Sequence, residues 1–301
     1  MRQQECIIYS NVDYVSAMRV RAFLLSLASL ALAASLAACG DDSGSASSTT
    51  TAAPSTTAAT SAPTTTAAPT PTAQPKATGK LTIFAAASLT DAFNEIGKAF
   101  EADNPGAKVT FNFAASSALV SQINEGAPVD VYASADEANM KKLTDAGNNG
   151  AAPVTFAKNK LAIIVAKGNP KKIDSVKDLE DPDLIVVTAA PQVPIGAYAQ
   201  QVFTKAGATV TPKSLEADVK AVVTKVTSGE ADAGIVYTTD VKAAGDKAED
   251  VAIPDEQNVV AVYPMAVTKA APNAAAAPAF VTYVTGSKGQ AALAKYGFAA
   301  P

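Results

Sequence analysis

The sequence predicts an α/β fold of two lobes, each a mostly parallel sheet flanked by helices. Three observations predict it. From Lys80 onward, short apolar runs of strand length alternate with amphipathic stretches of helical period. The apolar runs are nearly continuous, as in strands covered on both faces by helices. About 220 residues carry this pattern without an internal repeat, which suits two α/β lobes better than one.

The elements follow in order. Leu81-Thr-Ile-Phe-Ala-Ala is a buried strand. Ser88-Leu-Thr-Asp91 has the spacing of a capping box, and the helix it opens carries Phe93, Ile96 and Phe100 on one stripe. Asn104-Pro105-Gly106 is a turn, and Lys108 to Phe113 a second strand. Ser116 or Ser117 caps a helix with Leu119, Val120 and Ile123 inward; Val129 to Ala133 is a strand and Ala135 to Ala146 a helix. Leu161 to Ala166 is a buried strand ended by Gly168-Asn169-Pro170, and Leu184 to Thr188 is another. One helix follows Pro194-Ile195-Gly196, and a second over Leu215 to Ser228 puts Val219, Val222, Val223 and Val226 on one face. Gly234 to Tyr237 and Val259 to Val267 are strands, and two helices close the chain.

Residues before Lys80 read as address and tether. Arg19 and Arg21 precede an apolar run over 22–38, too short for a comfortable membrane span but suited to a secretory leader. Residues 1–38 are therefore assigned to a signal peptide, with Met18 an alternative start that places Met-Arg-Val-Arg directly before the run. Leu36-Ala37-Ala38-Cys39 resembles a bacterial lipobox, making Cys39 the expected lipidated residue; a plain signal peptide with an incidental cysteine is the alternative. Residues 39–79 form a linker: positions 43–79 hold 12 Thr, 6 Ser and 5 Pro and no large apolar residue, so they cannot offset chain entropy by burial. Linker glycosylation is left open by the composition.

Composition removes much chemistry. The chain has no His, and its three Arg (Arg2, Arg19 and Arg21) all lie at or before residue 21. A Ser-His-Asp triad, a His-ligated zinc and an imidazole base are absent, and two Cys cannot build a four-thiolate site. The formal net charge of −4 and the Arg-free body make nucleic acid an unsuitable partner. Asp181 and Asp183 flank a proline in a loop, Lys141-Lys142 and Lys171-Lys172 read as solvated faces, and Gly286-Ser-Lys-Gly289 lacks the spacing of a phosphate loop.

What remains is concentrated where strands meet helices. Ala86-Ala87-Ser88, Ala115-Ser116-Ser117 and Val193-Pro194-Ile195-Gly196 are small, hydroxyl-bearing or tight junctions. Ligands of such sheets bind beyond the carboxyl ends of strands, where helix N-termini offer free N–H groups and partial positive charge. Hydroxyls and backbone N–H groups suit a fully oxygenated, unprotonated tetrahedral anion. Ser88 and Ser116 could equally be simple caps, and Tyr237 a buried aromatic.

Several motifs then match one family. Phe84-Ala-Ala-Ala-Ser-Leu-Thr-Asp-Ala-Phe93, Phe113-Ala-Ala-Ser-Ser-Ala-Leu119, Gln122 to Asp130, Val193 to Tyr198, Gly234 to Tyr237, Tyr263-Pro264 and Lys295 to Phe298 run in the family's order. Together they resemble molybdate-binding proteins of ABC importers. The resemblance implies a type II periplasmic-binding-protein fold with a two-strand hinge, lobe I being 80–160 plus 262–301 and lobe II 161–261. It implies molybdate as ligand, with tungstate accepted, and no cofactor, cationic metal or catalysis. It gives Ser88 and Ser116 as hydroxyl and N–H ligands, Ile195 and Val219 as N–H donors, and Tyr237 as a phenol donor. It also implies a monomer at the outer face of the membrane, held by a lipid anchor and serving an ABC permease. Ile195 is larger, and Ala115 less polar, than the family pattern. A receptor for sulfate or another tetrahedral oxyanion is the nearest alternative; a secreted hydrolase is the different-class one, disfavoured by the missing His.

Overall fold

The computed structural model describes residues 76–301. The expected signal peptide, the Met18 start, Cys39 and the linker up to residue 75 lie outside the described residues. The first strand, β1 (Thr78–Ala86), begins just before the expected boundary and ends in a short 3-10 turn (Ala87–Leu89) that leads into α1 (Thr90–Asp103). The remainder of the first half is β2 (Gly106–Ala114), α2 (Ser116–Asn124), β3 (Val131–Ala133) and α3 (Glu137–Asp145). The long strand β4 (Val154–Ala166) precedes β5 (Val186–Ala189), α4 (Pro194–Ala206), β6 (Ser214–Glu216) and α5 (Val219–Thr227). Then come β7 (Ala233–Tyr237), α6 (Thr238–Ala244), β8 (Ala248–Ala252), β9 (Val260–Val267), α7 (Ala277–Thr285) and α8 (Ser287–Tyr296).

Among the described residues, nine strands share one sheet in the order β2-β1-β3-β9-β4-β7-β5-β6, with β8 paired to β4. The β1/β2, β1/β3, β5/β6 and β5/β7 ladders are parallel, as α/β alternation requires. The ladders made by β4 and β9 are antiparallel, so the sheet is mixed at its centre. The reason is β4. Its residues 154–160 pair with β9, whereas Leu161 to Ala166 pair with β7 and β8. One strand therefore runs through both halves of the sheet, and the chain returns between β8 and β9. Asn258 in that return accepts from the Leu161 N–H at 3.1 Å and donates to the Leu161 carbonyl at 2.9 Å.

Pro264 lies inside β9, where it cannot donate to a ladder. The β4/β9 register shifts between Thr155 and Ala157 opposite it, a bulge that accommodates the missing N–H. The main core runs through both halves of the sheet. Its aromatic centre is Phe93, Phe111, Phe156 and Phe280, with ring centroids 5.7–6.3 Å apart. A second cluster (Phe84, Leu119, Ile123, Tyr132, Met140 and Leu143 among its members) packs α2 and α3 on the sheet. Among the described residues, no helix is long and apolar enough to cross a membrane.

Two cap assignments are corrected. Ser88 opens no capping box: it lies within the 3-10 turn, and α1 starts at Thr90 behind Leu89 with no side-chain cap. Neither Ser116 nor Ser117 caps α2, whose cap position is Ala115. Both serines are thus relieved of the structural duty that their position suggests.

Candidate functional site

Four strand-to-helix junctions and the end of one strand converge on a pocket. β1 delivers Ala86 to Ser88, β2 delivers Ala114 to Ser116, β5 leads to Val193 to Ile195, β6 leads to Asp218 and Val219, and β7 ends at Tyr237. Ala135 completes the lining. About 210 Å³ of non-atom space, part of it continuous with solvent, lies among these residues. The first half of the sheet supplies Ser88, Ser116 and Ala135; the second supplies Ile195, Val219 and Tyr237. All five residues expected at the site from sequence line this one pocket, and all are buried.

The donors are explicable one by one. Ser116 and Val219 are the first residues of α2 and α5, and Ile195 is the second of α4. First-turn N–H groups have no intrahelical acceptor, and their helix ends carry partial positive charge. Pro194 occupies the first position of α4, where its missing N–H costs nothing. Gly196 is required beside it: a Cβ there would lie 2.2 Å from the Ala190 carbonyl oxygen and 2.4 Å from that of Ala189. The close approach of α4 to β5 sets the position of the Ile195 N–H.

The hydroxyls are held from behind. Ser116 Oγ accepts from the Ala135 N–H at 3.0 Å, and Ser88 Oγ lies 3.1 Å from the Tyr263 hydroxyl. Tyr237 is 1% exposed, and its hydroxyl has no hydrogen-bond partner among the described residues. Burial raises its pKa well above the ordinary tyrosine value, so it remains a donor. Tyr198 and Tyr263 pack edge-on against its ring at 6.5 and 5.8 Å.

Among the described residues, no cationic side chain lines the pocket. The nearest in sequence, Lys220, is drawn to Asp91 (3.3 Å) and Asp240 (3.5 Å). Asp240 is fully buried; burial raises its pKa to about 6, against the opposing pull of Lys220. One acid does line the pocket. Asp218 caps α5 by accepting from the Ala221 N–H at 3.0 Å, so its charge is engaged by that helix end. Sequence reasoning overlooked Asp218 as a lining residue, although an Asp before a helical valine run is a recognisable N-cap signal. Asp130, which ends a family-like motif, is structural: its carboxylate accepts from the N–H groups of Thr82 (2.7 Å) and Asn273 (2.6 Å).

A small pocket of hydroxyl and N–H donors with no lining cation can hold a compact anion rich in acceptors. Comparison with known proteins agrees. A family model described as bacterial extracellular solute-binding protein matches residues 81–299. The molybdate-binding protein ModA of Mycobacterium tuberculosis is 43% identical over 221 residues, covering 73% of this chain and 85% of the relative. The periplasmic molybdate-binding protein of Azotobacter vinelandii superposes with a TM-score of 0.65 at 25% identity, covering 73% of this chain and 99% of the other. The sulfate-binding protein SubI of Mycobacterium tuberculosis, with a TM-score of 0.66 at 20% identity over 73% and 86% of the two chains, shares the fold.

Proposed function

The chain belongs to the bacterial extracellular solute-binding protein family, and on that premise we propose that it captures molybdate in the pocket between the halves of its sheet and delivers it to an ABC permease. One observation carries the reading. Two serine hydroxyls, a buried tyrosine hydroxyl and the first turns of three helices meet around one small pocket, and among the described residues the tyrosine hydroxyl has no hydrogen-bond partner and the lining has no cation. Ser88, Ser116 and Tyr237 donate hydroxyl protons to the oxyanion; the N–H groups of Ser88, Ser116, Ile195 and Val219 complete its shell. A protonated anion such as hydrogen phosphate needs an acceptor, and the one carboxylate in the lining, Asp218, has Oδ1 bound to the Ala221 N–H of α5, so phosphate is the control that the test below includes. Sulfate has molybdate's charge and shape, and a pocket of larger radius leaves sulfate with stretched bonds to the same donors. Tungstate, close to molybdate in chemistry, is accepted too.

Capture works by closure. Residues 80–160 with 262–301 form one lobe and 161–261 the other, joined at β4 and at the return before β9. Because the ligand contacts both lobes, it favours the closed arrangement by its differential affinity. Leader removal and lipidation of Cys39 hold the monomeric body outside the cell membrane on its Ser/Thr/Pro linker, free to reach the permease. The test is thermal unfolding with molybdate, tungstate, sulfate and phosphate in turn. Molybdate at about 100 times its dissociation constant stabilises the fold by about 2.7 kcal/mol, a rise of roughly 5–10 °C in a body of this size. A shift with sulfate and none with molybdate overturns the assignment.

A further inference from the structure

Tyr263 does not line the pocket, yet its hydroxyl reaches a residue that does. It lies in mid-β9, fully buried, with its oxygen 3.1 Å from Ser88 Oγ. Edge-on contacts with Tyr237 (5.8 Å), Phe298 (5.4 Å) and Phe156 (6.2 Å) fix the ring. Two residues along β4 from Ala157, the strand partner of Tyr263, stands Asn159, 3% exposed. Asn159 Nδ2 donates to Thr239 Oγ1 at 2.9 Å, and its Oδ1 accepts from Thr238 Oγ1 at 3.0 Å. Thr238 and Thr239 directly follow Tyr237. Tyr263 thus ties β9 to Ser88, and Asn159 ties β4 to the segment that carries Tyr237.

Directionality gives the Tyr263–Ser88 contact a purpose. A serine hydroxyl has one proton, and holding an oxyanion requires donating it. Any other bond to that oxygen must then be one it accepts. At Ser116 this is unambiguous, because the Ala135 N–H can only donate. At Ser88 the partner is another hydroxyl, and either oxygen could donate. Burial raises the Tyr263 pKa above the ordinary tyrosine value, so the phenol keeps its proton. Among the described residues, the hydrogen-bond partner of the phenol is Ser88 Oγ, so the phenol proton goes to Ser88 when the Ser88 proton faces the ligand.

We propose that Tyr263 is a positioning residue for the oxyanion site, donating to Ser88 Oγ so that the single Ser88 proton faces the ligand. The inference rests on the oxyanion reading of the pocket and goes beyond it by assigning the polarity of the site to a residue that does not touch the ligand.

The test is a double-mutant cycle read by calorimetric titration with molybdate. Tyr263→Phe keeps the ring and removes one oxygen. In the otherwise unchanged protein it weakens binding by about tenfold, the scale of one hydrogen bond to a charged group. In the Ser88→Ala background the same change costs less than about twofold, because no serine proton remains to be directed. A residue that merely supports the fold gives the same factor in both backgrounds, and that result, or an unchanged affinity in the first, overturns the proposal. A second variant does not depend on how Tyr263→Phe folds. 3-Fluorotyrosine at position 263 keeps ring and hydroxyl but acidifies the phenol; it alters affinity when Ser88 is present and leaves it unaltered in the Ser88→Ala background, and an equal change in both overturns the inference. Failure of the molybdate reading looks different: the unmodified protein ignores molybdate, and the cycle is then run with whichever oxyanion of the tungstate, sulfate and phosphate series it binds.

Discussion

Replacing Tyr237 by Phe separates a ligand-binding hydroxyl from a structural one with unusual clarity. The Tyr237 ring is 1% exposed and packed between Tyr198 and Tyr263, and Phe preserves those contacts. Among the described residues the hydroxyl has no hydrogen-bond partner to lose. Its removal from the unloaded protein therefore breaks no internal hydrogen bond, and burying an unpaired hydroxyl is itself unfavourable by about 1–3 kcal/mol where no water relieves it. The unloaded melting temperature is expected to stay level or rise. Binding moves the opposite way. A hydrogen bond to a charged group contributes about 1.5–3 kcal/mol, so the loss is roughly 10- to 150-fold in molybdate affinity. Calorimetric titration gives the affinity, and scanning calorimetry of the unloaded protein gives the stability. A melting temperature lowered by several degrees with affinity intact would mean that the hydroxyl serves the fold, and the reasoning would be refuted.

Three further outcomes follow from the geometry. Ser116→Ala lowers both affinity and the unloaded melting temperature, because the buried Ala135 N–H loses its acceptor at a cost of about 1–3 kcal/mol; an unchanged melting temperature in scanning calorimetry contradicts this. Asp240→Asn flattens the pH dependence of stability: the native pKa of about 6 lies above the ordinary 3.8, so the group's contribution is fully present below pH 4 and is lost as pH rises through 6, by roughly 3 kcal/mol for a shift of about two units. Denaturant unfolding at pH 4 and pH 7 checks it, and equal slopes in the two proteins refute it. Asp91→Asn removes the ion pair from α1 to Lys220 on α5, which links the two halves at 3.3 Å with partly exposed partners, so molybdate affinity falls at most about fivefold and less at high salt; titration at two ionic strengths reads this, and a larger or salt-independent loss contradicts it.

The pocket lining was legible in the sequence because Ser88, Ser116, Ile195 and Val219 sit at strand-to-helix junctions, where local signals are strongest. Pro194-Ile195-Gly196 announces a helix start on its own. The serine caps were misread because the S-x-x-D spacing satisfies a local rule that tertiary contacts override: Ser88 turns to Tyr263 and Ser116 to Ala135. The same override hides several elements. Leu215 reads as helix but joins β6, where pairing with β5 outweighs its helical preference, and Asp218 then starts α5 four residues later than expected. β8 (Ala-Glu-Asp-Val-Ala) has little strand propensity and exists because β4 offers it a partner. The first part of β4 contains Lys158-Asn159-Lys160, too polar to read as a strand, yet Asn159 faces inward to Thr238 and Thr239. The Tyr263–Ser88 contact spans 175 residues, beyond any local pattern.

The central claim is that neutral donors in this pocket hold molybdate. Direct calorimetric titration at neutral pH, with molybdate and then sulfate added to the same protein, tests it most directly. The account predicts saturation at one molybdate per chain, and sulfate bound far more weakly and displaced by molybdate. Sulfate bound as tightly as molybdate, or no molybdate heat while sulfate or phosphate saturates the site, would contradict it.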